Sequence, residues 1–200
     1  MINNADLIEE STVEFYVPFK DNSIQFITLK NWDGRALKLQ MPFFRELLAN
    51  YFRITTTDAI RRQKKLIKKV IDVNSRLKKA TDFGVIYLMW EGYKGGKVFV
   101  ESASAVGDGS DWNFTREGWN KLTEVLIISK EDQFSLSLRT AVEAKLLQRI
   151  QKSSKFSLLN DPKSVQEKIK LAEFQLEDLD VKVYHHRIKT ILDCLNVPLL

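Results

Sequence analysis

The residue types best suited to chemistry are few and scattered. Glu143-Ala144-Lys145 and Asp180-Val181-Lys182 each set a carboxylate two residues from a lysine. A metal-dependent nuclease uses such groups, carboxylates to hold the cation and a lysine to help position the attacking water. Asp108, Asp111 and Glu101 supply further acids, but the first pair falls on a predicted helix and the second would need a strand in its place. A small metal-dependent nuclease is therefore the third-ranked reading. Asp108-Gly109-Ser110-Asp111 lacks the ligand count of a calcium loop. Gly92-Tyr93-Lys94-Gly95-Gly96-Lys97 has the glycines and lysine of a phosphate loop, yet its glycines are one residue too close and Val98 stands where a hydroxyl is needed. A hairpin turn is the better reading. His185 and His186 are adjacent, so on a helix they point about 100° apart and cannot grip one metal as a four-residue spacing can. They read as ordinary polar surface. The single cysteine, Cys194, excludes an intrachain disulfide and a multi-cysteine zinc site, and its expected place is a small apolar position in the last helix. No catalytic residue, metal site or cofactor is assigned.

The densest signal is electrostatic. Residues 57–80 predict a long helix in which Ile60, Leu66, Ile67, Val70, Ile71, Val73 and Leu77 share one arc. Arg61, Arg62, Lys64, Lys65, Lys68, Lys69, Arg76 and Lys79 occupy the complementary arc, and Lys78 alone lies on the apolar side. Residues 61–79 hold nine cations and one acid, Asp72, a net of +8, whereas the whole chain is only +5. Like charges three and four apart weaken a helix unless something acidic lies against it. Three candidates stand open: nucleic-acid phosphate, an acidic partner, or the chain's own Glu173, Glu177, Asp178 and Asp180.

The elements that must position these groups follow from pattern. Val13, Phe15 and Val17, then Ile24, Phe26 and Thr28, predict a hairpin over residues 12–30, with Pro18 marking an edge strand. Asp33-Gly34 is a turn signal, and Pro42 suits the first turn of a short helix bearing Phe44, Leu47, Leu48, Tyr51 and Phe52. Phe83 to Trp90 and Lys97 to Ala103 read as strand, turn and strand. Residues 107–111 are a loop, and Thr115 is placed to cap a helix running to about Ile128. This strand pair, loop and Thr-x-x-Gly-x-x-x-Leu helix resembles the wing and following helix of winged-helix domains. From Ser135 to Lys152, Leu138, Val142, Leu146 and Ile150 recur every four residues and predict a helix. Residues 153–160 are the linker candidate, and Asp161-Pro162 starts a helix whose Val165, Ile169, Ala172, Leu176, Leu179 and Val183 form a coiled-coil-like seam. A bend is expected near Asp178 to Asp180, before a final helix ending ahead of Asn196.

Length and composition permit one sizeable core with a helical extension: 200 residues, 44% hydrophobic and 28% charged. No apolar run approaches the ~18 residues that cross a bilayer, and the acidic stretch Met1 to Ser11 is unlike a signal peptide, so the expectation is a cytoplasmic protein without membrane partners. The expected fold is an α+β domain over residues 1–153, with an N-terminal hairpin, a long basic helix and a winged-helix-like segment, followed by a helical extension over residues 161–200. The leading expectation for function is a non-catalytic nucleic-acid-associating subunit gripping phosphate through the basic helix. The alternative is an adaptor that meets a protein partner or a second copy through Val165, Ile169, Leu176 and Leu179.

Overall fold

Val85–Trp90 (β4) is six apolar residues without a polar interruption, and all six are buried. A strand whose alternate side chains are all apolar must have both faces covered. The computed structural model, which describes residues 12–17, 24–45, 84–92, 96–103, 119–130, 134–153 and 155–200, shows how. Among the described residues, β1 (Val13–Tyr16), β2 (Ile24–Leu29), β3 (Gly34–Gln40), β4, β5 (Lys97–Ala103), β6 (Glu124–Lys130) and β7 (Ser157–Leu158) form one sheet in the order β1-β2-β3-β6-β4-β5-β7. All pairs are antiparallel except β5 with β7. The fold is α+β.

The two-residue period sorts the side chains cleanly. Ile86, Leu88 and Trp90 of β4 join Leu126 and Ile128 of β6 and Val98 and Val100 of β5 in one cluster. Val85, Tyr87 and Met89 join Val125, Ile127 and Phe99 in another, on the opposite face, with Met41 and Phe44 from a short helical stretch over residues 41–45. The Phe44 and Tyr87 rings sit 6.0 Å apart between centroids. The first face is roofed by α1 (Leu136–Ser153), α2 (Pro162–Leu171) and α3 (Leu179–Cys194). Asp161 caps α2 as its sequence predicts, its carboxylate accepting from the Ser164 amide at 2.9 Å. The chain bends between α2 and α3 through a single turn of 3-10 helix, Glu173–Gln175.

Two expectations need correcting. Of the helix expected from Thr115 to about Ile128, residues 115–118 lie outside the described ones and Trp119–Lys121 form a single 3-10 turn, but from Glu124 onward the chain is instead β6, paired on both sides, with Ile127 opposite Leu37 of β3 and Tyr87 of β4. Four consecutive apolar residues, three of them β-branched, suit a strand buried on both faces, and a helix there would leave the inner edges of β3 and β4 unpaired. The likeness to a winged-helix segment goes with it. The linker expected over residues 153–160 contains β7, and beyond it the Asn160 side chain continues the ladder, accepting from Val100 N at 3.1 Å and donating to Val100 O at 2.6 Å. Beyond the linker, Val165, Leu176, Val181, Ile188, Ile191 and Leu192 share one cluster with the sheet.

The turn between β2 and β3 is tied to α3. Tyr184 donates its hydroxyl to Asp33 at 2.7 Å and lies between the rings of Trp32 and Phe134, at 5.5 and 5.1 Å. Burial, helped by the Asp33 acceptor, pushes the Tyr184 phenol above its ordinary range. Asn31 sits in the left-handed region at φ 61, which Asn and Gly adopt most readily, and a Cβ at Gly34 would meet the Trp32 ring at 2.1 Å, so any side chain at position 34 would have to displace that ring.

Asn160→Ala leaves both backbone groups of Val100 without that partner in a half-buried position. A loss of about 1–3 kcal/mol is expected, read as a lower urea midpoint at unchanged slope. A change under about 0.5 kcal/mol would mean that the amide clasp is incidental.

Candidate functional site

The chemistry-bearing side chains gather on α1 because that helix is covered almost all round. Seven consecutive residues, Ala141 to Leu147, are buried, with β4 and β5 on one side and α2 and α3 on the other. Glu143 and Lys145 lie inside this run, and each must find a partner or be paid for in desolvation. Glu143 is 1% exposed; one carboxylate oxygen accepts from Ser102 Oγ of β5 at 2.6 Å and the other from Lys168 Nζ of α2. One turn earlier, Arg139 is also buried, and its guanidinium occupies the space that a Cβ on Gly84, at φ +85, would need. Burial lowers the Arg139 pKa, an effect that the Glu143 charge partly offsets.

Lys145 turns the other way. Its ammonium donates to the Leu176 carbonyl at 3.0 Å and to Glu177 at 2.9 Å, and Lys182 meets the second oxygen of Glu177, also at 2.9 Å. These hydrogen bonds, Lys145 first, hold the Glu177 carboxyl down to about 2. The Glu-x-Lys and Asp-x-Lys spacings therefore bring neither pair together: Glu143 and Lys145 part to different neighbours, and Asp180 and Lys182 both stand on α3. Among the described residues, no three His, Cys, Asp or Glu side chains are grouped to hold a metal ion, and no helix is long and apolar enough to cross a membrane.

His185 is not the surface residue its sequence suggested. It is partly buried between α3 and α1, and desolvation, then the charges of Arg149, Lys145, His186 and Lys189, push its pKa down to about 4. Its Nε2 is buried with no hydrogen-bond partner among the described residues. His186 is exposed, and so is Cys194, which fills no apolar position. Gly92 and Gly96 flank the β4–β5 hairpin, where Glu91 N donates to Lys97 O at 2.9 Å and Lys97 N to the Glu91 carboxylate at 3.2 Å. The hairpin reading is the right one there.

A cleft of ≈ 870 Å³ opens at this end of the sheet, lined by Gln40, Met41, Pro42, Arg45, Glu91, Gly92, Gly96 and residues 120–124. Its walls are mixed in charge. Glu124 is bound to Lys38 and Glu91 to the Lys97 amide, while Lys121 is exposed at the rim. The phosphate-contact candidates Arg61, Arg62, Lys64, Lys65, Lys68, Lys69, Arg76 and Lys79 lie outside the described residues, as do Asp108 and Asp111. Of the seam residues, Val165 and Leu176 are buried in the chain's own core and Ile169 packs against it, whereas Leu179 is exposed. Sequence reasoning passed over a different set at that corner: Leu136, Leu171 and Phe174 are all exposed. The available signal was that Leu171 and Phe174 fall off the seam's three-four spacing. Comparison with protein-family models, curated proteins and solved structures finds no match to this chain.

The His185 environment has a consequence for pH. Between about pH 4 and 6.5 the unfolded chain binds a proton at this imidazole that the folded chain refuses, so stability rises with pH across that window and falls on acidification. The fall begins below about pH 6.5 and is no steeper than about 1.4 kcal/mol per pH unit, one proton's worth. Urea unfolding at pH 7, 6 and 5 should show it, and His185→Gln should flatten it. An identical slope in the variant would assign the acid sensitivity elsewhere.

Proposed function

We propose that this chain is a non-catalytic nucleic-acid-associating subunit that holds the phosphate backbone through the cations of residues 61–79. The observation that carries the reading is the charge segregation: a net +8 within nineteen residues of a chain whose total is +5. Such a density favours an anionic surface over isolated carboxylates, because a polyanion releases condensed counterions as each phosphate is neutralised. One feature of the described residues supports it. Glu177, one of the acids available to balance the stretch internally, is already shared by Lys145 and Lys182.

The competing readings have less to stand on. An adaptor assembling through Val165, Ile169, Leu176 and Leu179 loses the first three to the chain's own core. For a small nuclease, Glu143 has both oxygens engaged by Ser102 and Lys168, and Lys145 is turned toward Glu177.

About four cations engaging phosphate at once give a plot of log affinity against log salt with a slope near −3.5 on duplex DNA, or nearer −3 on a single strand. Lys65→Glu combined with Lys69→Glu should remove binding while leaving the thermal unfolding midpoint in place. Binding that ignores salt and survives both substitutions would end the reading.

A further inference from the structure

The exposed large apolar residues among the described ones fall into two groups. Phe15, Tyr16 and Val17 lie along and just past the edge strand β1, and Leu136, Leu171, Phe174 and Leu179 lie at the ends of the three helices and on the connection between α2 and α3. Two contacts join the segments that carry the second group. The Gln175 side-chain amide donates to Ser137 Oγ at 2.8 Å, joining the turn after α2 to the first residues of α1. The rings of Phe134 and Tyr184 meet at 5.1 Å, joining the approach to α1 with the first turns of α3. Leu136 opens α1, Leu179 opens α3, and Leu171 and Phe174 stand on the connection between α2 and α3, three residues apart, a spacing that puts both on one side of a helical turn. Phe174 is 93% exposed and Leu171 82%. A single exposed leucine needs no explanation, but a phenylalanine this bare among three leucines makes a patch of the kind that marks an interaction surface.

The charge around the patch selects the partner. From Leu171 to Asp180 the chain carries four acids, Glu173, Glu177, Asp178 and Asp180, and no cation, with Lys170 at the border. Glu177 is taken by Lys145 and Lys182. Glu173, Asp178 and Asp180 make no ion pair among the described residues, and Asp178, at the cap of α3, accepts no capping bond with its side chain. A second copy docking by the same patch would bring these acids face to face across a two-fold axis, so self-pairing is disfavoured.

We propose that Leu136, Leu171, Phe174 and Leu179, rimmed by Glu173, Asp178 and Asp180, form a docking surface for a cationic amphipathic helix of a partner protein. The partner's apolar side chains cover Phe174 and the leucines, and its lysines or arginines meet the acidic rim. This is helix-on-surface recognition with anchors at three- and four-residue spacing. It goes beyond the phosphate reading and does not depend on residues 61–79 holding nucleic acid.

The test uses the full chain and two fluorescent 18-residue probes of one design, leucines at helical spacing with lysine on the other face, and the same peptide with glutamate in place of lysine. Anisotropy titration should show the lysine peptide binding at least tenfold tighter than the glutamate peptide, and more weakly as salt is raised. Leu171→Ser with Phe174→Ser should weaken it at least tenfold. Glu173→Lys with Asp178→Lys should reverse the preference between the probes. All four positions are exposed, so each variant should melt with the parent chain, and that melt serves as the folding control. Equal binding of the two probes, or lysine-peptide binding untouched by either double variant, overturns the proposal. So does a concentration-dependent dimer that Leu171→Ser with Phe174→Ser dissolves, which would assign the patch to a second copy.

Discussion

Burial of both faces of β4 and β6 is the constraint from which the remaining architecture follows. These two strands are paired to each other at the middle of the sheet, and every residue of β4 and five of the seven in β6 are buried. Apolar side chains of this size stabilise by about 1.5–3 kcal/mol each when withdrawn from water, as an upper bound, so neither face can be left open. Three helices cover one face, and α1 is pressed between the sheet and the other two. A helix so enclosed has almost no wet side. The charged residues it carries are then forced into specific pairs: Glu143 with Ser102 and Lys168, Lys145 with Leu176 O and Glu177. Such pairs contribute little net stability compared with apolar replacements, yet removing one partner strands the other. They tie α1 to β5, to α2 and to the turn before α3, and so fix where the corner bearing Leu171 and Phe174 stands.

Much of this was legible from local pattern. The β1–β2 and β4–β5 hairpins, α1, the Asp161 cap and the bend before α3 each have a periodicity or a cap that a single stretch of chain displays. What was not legible depends on neighbours distant in sequence. The residues of β6 have no period because both faces are buried, and a Thr-capped helix competed successfully for the same stretch on local grounds. β7 is two residues long, too short for any periodic signal, and exists because the carbonyls of Gly96, just before β5, and of Val98 within it offer backbone acceptors to Ser157 and Leu159. The seam of Val165, Ile169 and Leu176 was correctly apolar, but spacing cannot say whether it faces the chain's own sheet or another molecule. His185 looked like surface because its neighbour is, and its burial comes from α1 packing across α3.

The candidate sites divide along the same line. Glu143-Ala144-Lys145 was visible as a spacing, but its two charges serve different contacts, a fact held in Ser102, Lys168 and Glu177 and in no local motif. The cationic stretch 61–79 was visible because composition alone displays it. The acidic, apolar corner was half visible: the acids were noted as a counterweight, while the exposed Phe174 emerges only once Val165, Leu176 and Ile188 are seen to consume the buried face. The chain thus separates its charges, +8 over residues 61–79 and −4 over Leu171 to Asp180, and in the proposed reading each pole faces a partner of opposite sign.

All of this rests on residues 161–200 being part of the sheet's own core. Native-state amide hydrogen exchange tests that claim most directly, because it reports the free energy of opening residue by residue. Amides of Ile188, Ile191 and Leu192 in α3 should exchange through the same global opening as those of Leu126 and Ile128 in β6, with one shared dependence on denaturant. Exchange of the α3 amides through a separate, lower-energy opening while β6 stays protected would contradict the account, and would make the C-terminal helices an appendage.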